Sequence, residues 1–133
     1  MSNFYYRVAS RIMMAIMSYA TNEIAKVDTD FQDFIKNEEL VVQWVIEKGG
    51  PGAYYDIKNG KFTAVRDQIH PKPNITISIK DGKTAIKVLR GSPEILQQEV
   101  DAGNVNVIGD EKKVQEMRPL LKIIQKYLED LRD

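Results

Sequence analysis

The side chains able to move protons or hold a metal are few in this chain. It has no cysteine and a single histidine, His70, which excludes disulfides, thiolate metal sites and cysteine nucleophiles. For acid–base work the candidates are Tyr54, Tyr55, Asp56 and His70. A catalytic set needs a nucleophile, a base and an orienting group on one face, whereas neighbours along a strand point to opposite faces. Spacing alone assembles no such set. His70 lies in the stretch 68–74, which carries two prolines, and with no second ligand at a readable spacing it reads as an ordinary loop histidine. The expectation is a protein that is not an enzyme, with no metal site and no cofactor.

Charge narrows the partners further. Lysine plus arginine equals aspartate plus glutamate, nineteen each, so no net field draws the chain to a phosphate backbone and nucleic acid is not expected as a partner. Apolar residues at 43% and charged residues at 29% are ordinary for a globular domain. A chain of 133 residues fits one domain, read here as an N-terminal helix over 1–27 and a core over 28–133. Arg7 and Arg11 ahead of the apolar run 12–17 imitate a signal peptide, but the small-residue cleavage pattern is missing. No run reaches the roughly 18–20 apolar residues of a membrane span. A cytoplasmic location is the expectation.

The elements follow from periodicity. Residues 3–26 contain no Gly or Pro, and Phe4, Val8, Ile12, Ala15, Ile16, Tyr19 and Ile24 recur near helical spacing. Met13, Met14 and Met17 widen that face with flexible, polarizable side chains suited either to core packing or to a dimer face or ligand lid. Asp28 and Thr29 offer N-cap chemistry for a short helix with Phe31, Phe34 and Ile35. From Leu40 the period becomes two, putting Leu40, Val42, Trp44 and Ile46 on one side of a strand. Gly49, Gly50, Pro51 and Gly52 form a loop. Asn59-Gly60 then sets a two-residue type I′ hairpin over 54–65, pairing Ile57 with Phe62, Tyr55 with Ala64 and Tyr54 with Val65.

In 75–110, strand and helix signals alternate with a glycine at each junction. Ile75, Ile77 and Ile79 make a half-buried strand. Asp81-Gly82 allows either a second hairpin or a helix; Ala85, Val88 and Leu89 at spacings of three and four, followed by Gly91, favour the helix. Ser92-Pro93-Glu94 opens another helix with a capping hydroxyl, a first-turn proline and an acid at the positive dipole end, and Gly103 stops it. A short strand follows over 104–107. Gly109-Asp110 turns into a helix, and Pro119 begins or kinks the last one, 119–131. There Leu120, Leu121, Ile124, Tyr127, Leu128 and Leu131 oppose Arg118, Lys122, Gln125, Lys126 and Glu129.

This succession resembles the sterol carrier protein 2 family of lipid-binding domains. The carrying residues are Ile75-Thr76-Ile77-Ser78-Ile79, Val88-Leu89-Arg90-Gly91-Ser92-Pro93 and Ala102-Gly103-Asn104-Val105-Asn106-Val107-Ile108-Gly109-Asp110. Upstream, Gly50-Pro51-Gly52 and Tyr54-Tyr55-Asp56-Ile57-Lys58-Asn59-Gly60-Lys61 resemble the family's glycine loop and hairpin, so the likeness spans about residues 31–131. The resemblance implies an α/β fold of the α+β type: a five-stranded, mostly antiparallel sheet covered on one face by helices, with an apolar tunnel between the layers.

Such a tunnel would take an apolar small molecule or lipid, a fatty acyl chain or a sterol-like ligand, for non-enzymatic binding or transfer. Residue type and placement nominate its lining as Trp44, Ile46, Phe62, Val88, Leu89, Ile95, Val107, Leu121, Ile124 and Leu128. The competing expectation is an interaction module that retains the fold without a ligand cavity and forms a homodimer through the Met-rich N-terminal helix.

Overall fold

A computed structural model describes residues 3–47, 52–90 and 93–132. The glycine loop foreseen at Gly49, Gly50 and Pro51 and the cap foreseen at Gly91 and Ser92 lie outside them. The order is α1 (Asn3–Val27), α2 (Thr29–Ile35), β1 (Leu40–Ile46), β2 (Gly52–Lys58), β3 (Lys61–Arg66), β4 (Ile75–Ile79), α3 (Gly82–Arg90), α4 (Pro93–Asp101), β5 (Val105–Gly109) and α5 (Glu111–Arg132).

The five strands form one sheet in the order β3-β2-β1-β4-β5. Only the β1–β4 pair is parallel. The hairpin has the register that Asn59-Gly60 predicts, with Ile57 opposite Phe62, Tyr55 opposite Ala64 and Tyr54 opposite Val65. Both turn residues hold positive φ, 54° and 74°, as a type I′ turn demands. Leu40, Val42, Trp44, Ile46, Tyr55, Ile57, Ile75, Ile77 and Ile79 are all buried, the alternate positions of a sheet covered on one side.

The opposite face is more open, and a glutamine orders the connection that crosses it. Gln43 is buried; its Nε2 donates to the carbonyls of Trp44 and Ala53 at 3.0 Å, and its Oε1 accepts from His70 N at 2.7 Å. A buried amide so satisfied holds the loop after β3 against the sheet. The edge strand β3 is guarded in a related way. The Asn22 side chain on α1 both donates to the Ala64 carbonyl and accepts from Ala64 N, occupying groups that would otherwise template another strand.

Asp28 caps α2 by accepting from Phe31 N at 2.8 Å, as its position predicts. The ambiguity at Asp81-Gly82 resolves to helix, since Asp81 Oδ1 accepts from Thr84 N at 2.9 Å. Glycine is required at 82 because α1 passes directly over it. A Cβ there would stand 2.7 Å from the Tyr6 carbonyl oxygen. Gly82→Ala must therefore push two backbones apart, and an urea titration should show a loss of about 1–3 kcal/mol.

Two expectations need correction. Pro119 does not begin a helix: α5 starts at Glu111 and runs through it, as the kinked alternative allows. The proline is exposed while Met117, Leu120 and Ile124 are buried. Its missing N–H and ring clash thus fall on the outer side, where solvent can serve the freed carbonyl, and packing of the inner side carries the helix past it. The second is the single wide apolar face read on α1, which the structure splits into two opposite sides. Phe4, Val8, Ile12, Ile16 and Tyr19 are exposed, whereas Ser10, Met14, Met17, Ser18, Thr21 and Ile24 are buried. The methionines and small polar residues pack inward, and Thr21 stays satisfied by donating from Oγ1 to the Met17 carbonyl at 2.8 Å.

Candidate functional site

The residues nominated for acid–base chemistry do not converge. His70 meets the Tyr54 ring edge-on, centroids 5.1 Å apart, and its Nδ1 accepts from Lys72 N at 3.0 Å. Tyr55 points to the opposite, helix-covered face, where burial pushes its hydroxyl well above the usual phenol range. Asp56 lines a polar surface cleft with Asn74 and Lys113 instead. Among the described residues no group of three metal-ligating side chains comes together.

Two apolar concave features lie between the helices and the sheet. An inner chamber of about 30 Å³ is walled by Met17 of α1, Trp44, Tyr55, Val88, Leu89, Leu96, Leu121, Ile124 and Gln125. That is room for a water molecule. Outside it, a cleft of about 270 Å³ runs between α4, β5 and α5, lined by Leu96, Val100, Val107, Val114, Met117 and Leu121 with Gln97, Arg118, Lys122 and Gln125. Leu96, Leu121 and Gln125 belong to both cavities, so they form the partition.

Two polar features stand out in these apolar walls. The charged lining residues of the cleft, Arg118 and Lys122, are both cationic and sit one helical turn apart on α5. Inside, Trp44 is 5% exposed, and its indole N–H has no hydrogen-bond partner among the described residues. A buried unpaired donor costs about 1–3 kcal/mol, which marks the chamber as a place where a ligand acceptor would be welcome.

Of the residues nominated from sequence, Trp44, Val88, Leu89, Leu121 and Ile124 line the chamber, and Val107 and Leu121 line the cleft. Ile46 and Phe62 belong to the packed interior; Phe62 contacts Phe31 and Tyr55 with centroids 4.9 and 5.3 Å apart. Half-buried Ile95 is in neither cavity. Nothing is described for the Leu128 side chain. Sequence reasoning did not nominate Tyr55, Leu96, Val100, Val114 and Met117 as lining, and left Met17 open between core packing, a dimer face and a ligand lid. For Leu96 and Val100 the signal existed, since both lie on the apolar side of α4.

A buried polar anchor braces the cleft wall. The Glu99 side chain is 7% exposed and accepts from Lys87 Nζ at 2.7 Å and from Asn104 Nδ2 at 2.7 Å, joining α3, α4 and the start of β5. The lysine, then the amide, hold its carboxyl below the ordinary value. Asp28 is likewise lowered, first by the Tyr127 hydroxyl and then by Phe31 N. Because both folded-state values lie below the unfolded ones, their stabilisation is complete above about pH 4.5 and is lost as pH falls through the lowered values. Thermal melts between pH 6 and 3 should therefore show a falling midpoint, with a shallower fall in Glu99→Gln.

Comparison with solved structures assigns the fold. A UbiJ-SCP2 ubiquinone synthesis protein superposes with a TM-score of 0.62 over 85% of this chain and 96% of that one, at 11% identity. Sterol carrier protein 2 from Yarrowia lipolytica, in its apo form, gives 0.59 over 79% and 90%, at 17% identity. The chain has the sterol carrier protein 2 fold. That fold also occurs inside an enzyme: the sec-alkyl sulfatase PisA1 matches with a TM-score of 0.52 at 20% identity, where the shared part is 16% of that longer chain. No family model matches the sequence, and neither does any curated protein. No helix among the described residues is long and apolar enough to cross a membrane.

Proposed function

We propose that this protein is a non-catalytic carrier of a long-chain amphiphile, held in the cleft between α4, β5 and α5 with its chain directed toward Trp44. The observation that carries the reading is the shared partition. An apolar cleft lined by two cationic side chains abuts a smaller, mainly apolar chamber, and flexible side chains separate the two. Each buried methylene contributes about 0.8 kcal/mol, so an acyl chain of ten or more offsets the loss of free motion without polar contacts. Arg118 and Lys122 would meet an anionic head such as a carboxylate. The Trp44 N–H would donate to a ligand oxygen deeper in.

As they stand, the cavities fall below the ~300–1,000 Å³ usual for small-molecule sites. Ligand entry in this reading turns Met17 and Met117 aside, which unbranched thioether chains do readily. The likeness to lipid-carrier domains supports the same ligand class, and the likeness to a ubiquinone synthesis protein adds isoprenoid quinones to the compounds worth testing. A cytoplasmic carrier is the corresponding location.

The test is extraction. Purified protein is denatured in chloroform and methanol, and the organic phase is analysed by mass spectrometry beside an equal amount of Leu121→Glu. A lipid recovered near one per chain from the parent and depleted from the variant supports the carrier. An empty parent that also fails to bind added oleate, sterol or quinone overturns it.

A further inference from the structure

We infer that the outward face of α1 is a homodimer interface, formed by antiparallel pairing with α1 of a second copy. The helix is apolar on both sides. Its inner side packs on the sheet and α3, yet Phe4, Tyr5, Val8, Ile12, Ile16 and Tyr19 remain exposed on the outer side, at 71%, 49%, 42%, 54%, 56% and 70%. A helix in water keeps its second face polar unless something covers it. From Phe4 to Tyr19 no charged residue interrupts this outer stripe: Arg7 and Arg11 lie at its margin, and Arg11 is engaged with Asp67 at 2.9 Å.

Three features favour a second copy as the cover. The first is area. Applied to whole-residue areas of roughly 150–250 Å² for the aromatics and somewhat less for the aliphatics, these exposures leave on the order of 700 Å² of mainly apolar surface per chain, close to the ~800 Å² per partner of an ordinary stable interface.

The second is spacing. Tyr5, Val8, Ile12, Ala15 and Tyr19 follow each other at alternating steps of three and four, the seam of a two-helix coil. Antiparallel pairing that sets Ile12 against Ala15 of the second copy also sets Val8 against its Tyr19 and Tyr5 against its Asn22. Large then meets small at the centre, and the contact is self-complementary as a two-fold axis requires.

The third is charge. Helices that lie on anionic bilayers are rich in Lys and Arg, whereas this outer surface offers two arginines, one of them paired, on a chain whose formal charges balance. The interface uses the outward side of α1, whereas the ligand chamber meets only the inward side of that helix, through Met17.

Multi-angle light scattering on the full chain should give twice the 15.2 kDa chain mass. Ile12→Glu with Ile16→Glu should raise the dissociation constant about a hundredfold or more and give a monomer of unchanged helical circular dichroism. Should that variant fail to fold, cysteine pairing reads the same contact in this cysteine-free chain. A mixture of Val8→Cys and Tyr19→Cys chains should form a heterodimeric disulfide, while Val8→Cys alone should not link to itself, its two copies lying roughly 16 Å apart along the axis. A monomeric parent overturns the proposal, as does a monomer that instead sediments with phosphatidylglycerol vesicles. Self-linking of Val8→Cys as fast as the mixed pair overturns the antiparallel arrangement.

Discussion

Leu121→Glu is expected to weaken binding of a long-chain fatty acid at least tenfold while leaving the fold intact. Leu121 lines both the chamber and the cleft, so any chain passing from one to the other must slide along it. A carboxylate there removes apolar contact and faces the incoming methylenes with a charge that cannot be desolvated cheaply. It also repels an anionic head arriving between Arg118 and Lys122. The site is only half-buried, so in the empty protein the new charge can turn toward solvent, and the melting midpoint should move little. A fluorescent fatty-acid displacement titration gives the affinity, each tenfold change being about 1.4 kcal/mol. Undiminished binding would take the ligand out of this cleft.

Phe31→Ala is expected to cost about 3–5 kcal/mol of stability, a large part of the roughly 5–15 kcal/mol that holds a domain folded. Phe31 is fully buried, and its ring meets Phe62 edge-on with centroids 4.9 Å apart. Phe62 then touches Tyr55 at 5.3 Å, and Tyr55 touches Trp44 at 6.2 Å. A cavity at Phe31 therefore opens at one end of an aromatic chain that ends in the chamber wall. Urea unfolding followed both by circular dichroism and by Trp44 emission should show the lowered midpoint, with the emission of the folded state shifted too. A change under 1 kcal/mol would mean that α2 is peripheral to the core.

The sheet was legible because its signals are local. Asn59-Gly60 sets a register by turn geometry, and the alternation of Ile75, Ile77 and Ile79 names the buried face without knowledge of any partner. Pro119 left both a start and a kink open because its effect depends on which side of the helix it occupies, and that is decided by packing from elsewhere in the chain.

On α1 the apolar spacing was real but belonged to the exposed side. Periodicity reports that a face is apolar and not what covers it, and Ser10, Ser18 and Thr21 can be buried because intrahelical carbonyls satisfy such hydroxyls, as Ser10 and Thr21 show. The cavity lining was legible only in part. Trp44, Val88, Leu89, Leu121 and Ile124 are ordinary core types in sequence, and only the meeting of α1, α3, α4 and α5 over β1 and β2 separates them from Ile46 or Phe62. The cationic pair Arg118 and Lys122 looked like a solvated helix face for the same reason.

The carrier reading is tested most directly through Trp44, the single tryptophan of the chain and a wall of the inner chamber. Titration with a fatty acid brominated near its methyl end should quench Trp44 emission strongly and saturably, because bromine quenches an indole only at contact distance. The unbrominated acid should bind equally well and quench little. Saturable binding of both acids with no bromine-specific quenching would place the chain away from Trp44 and contradict the account.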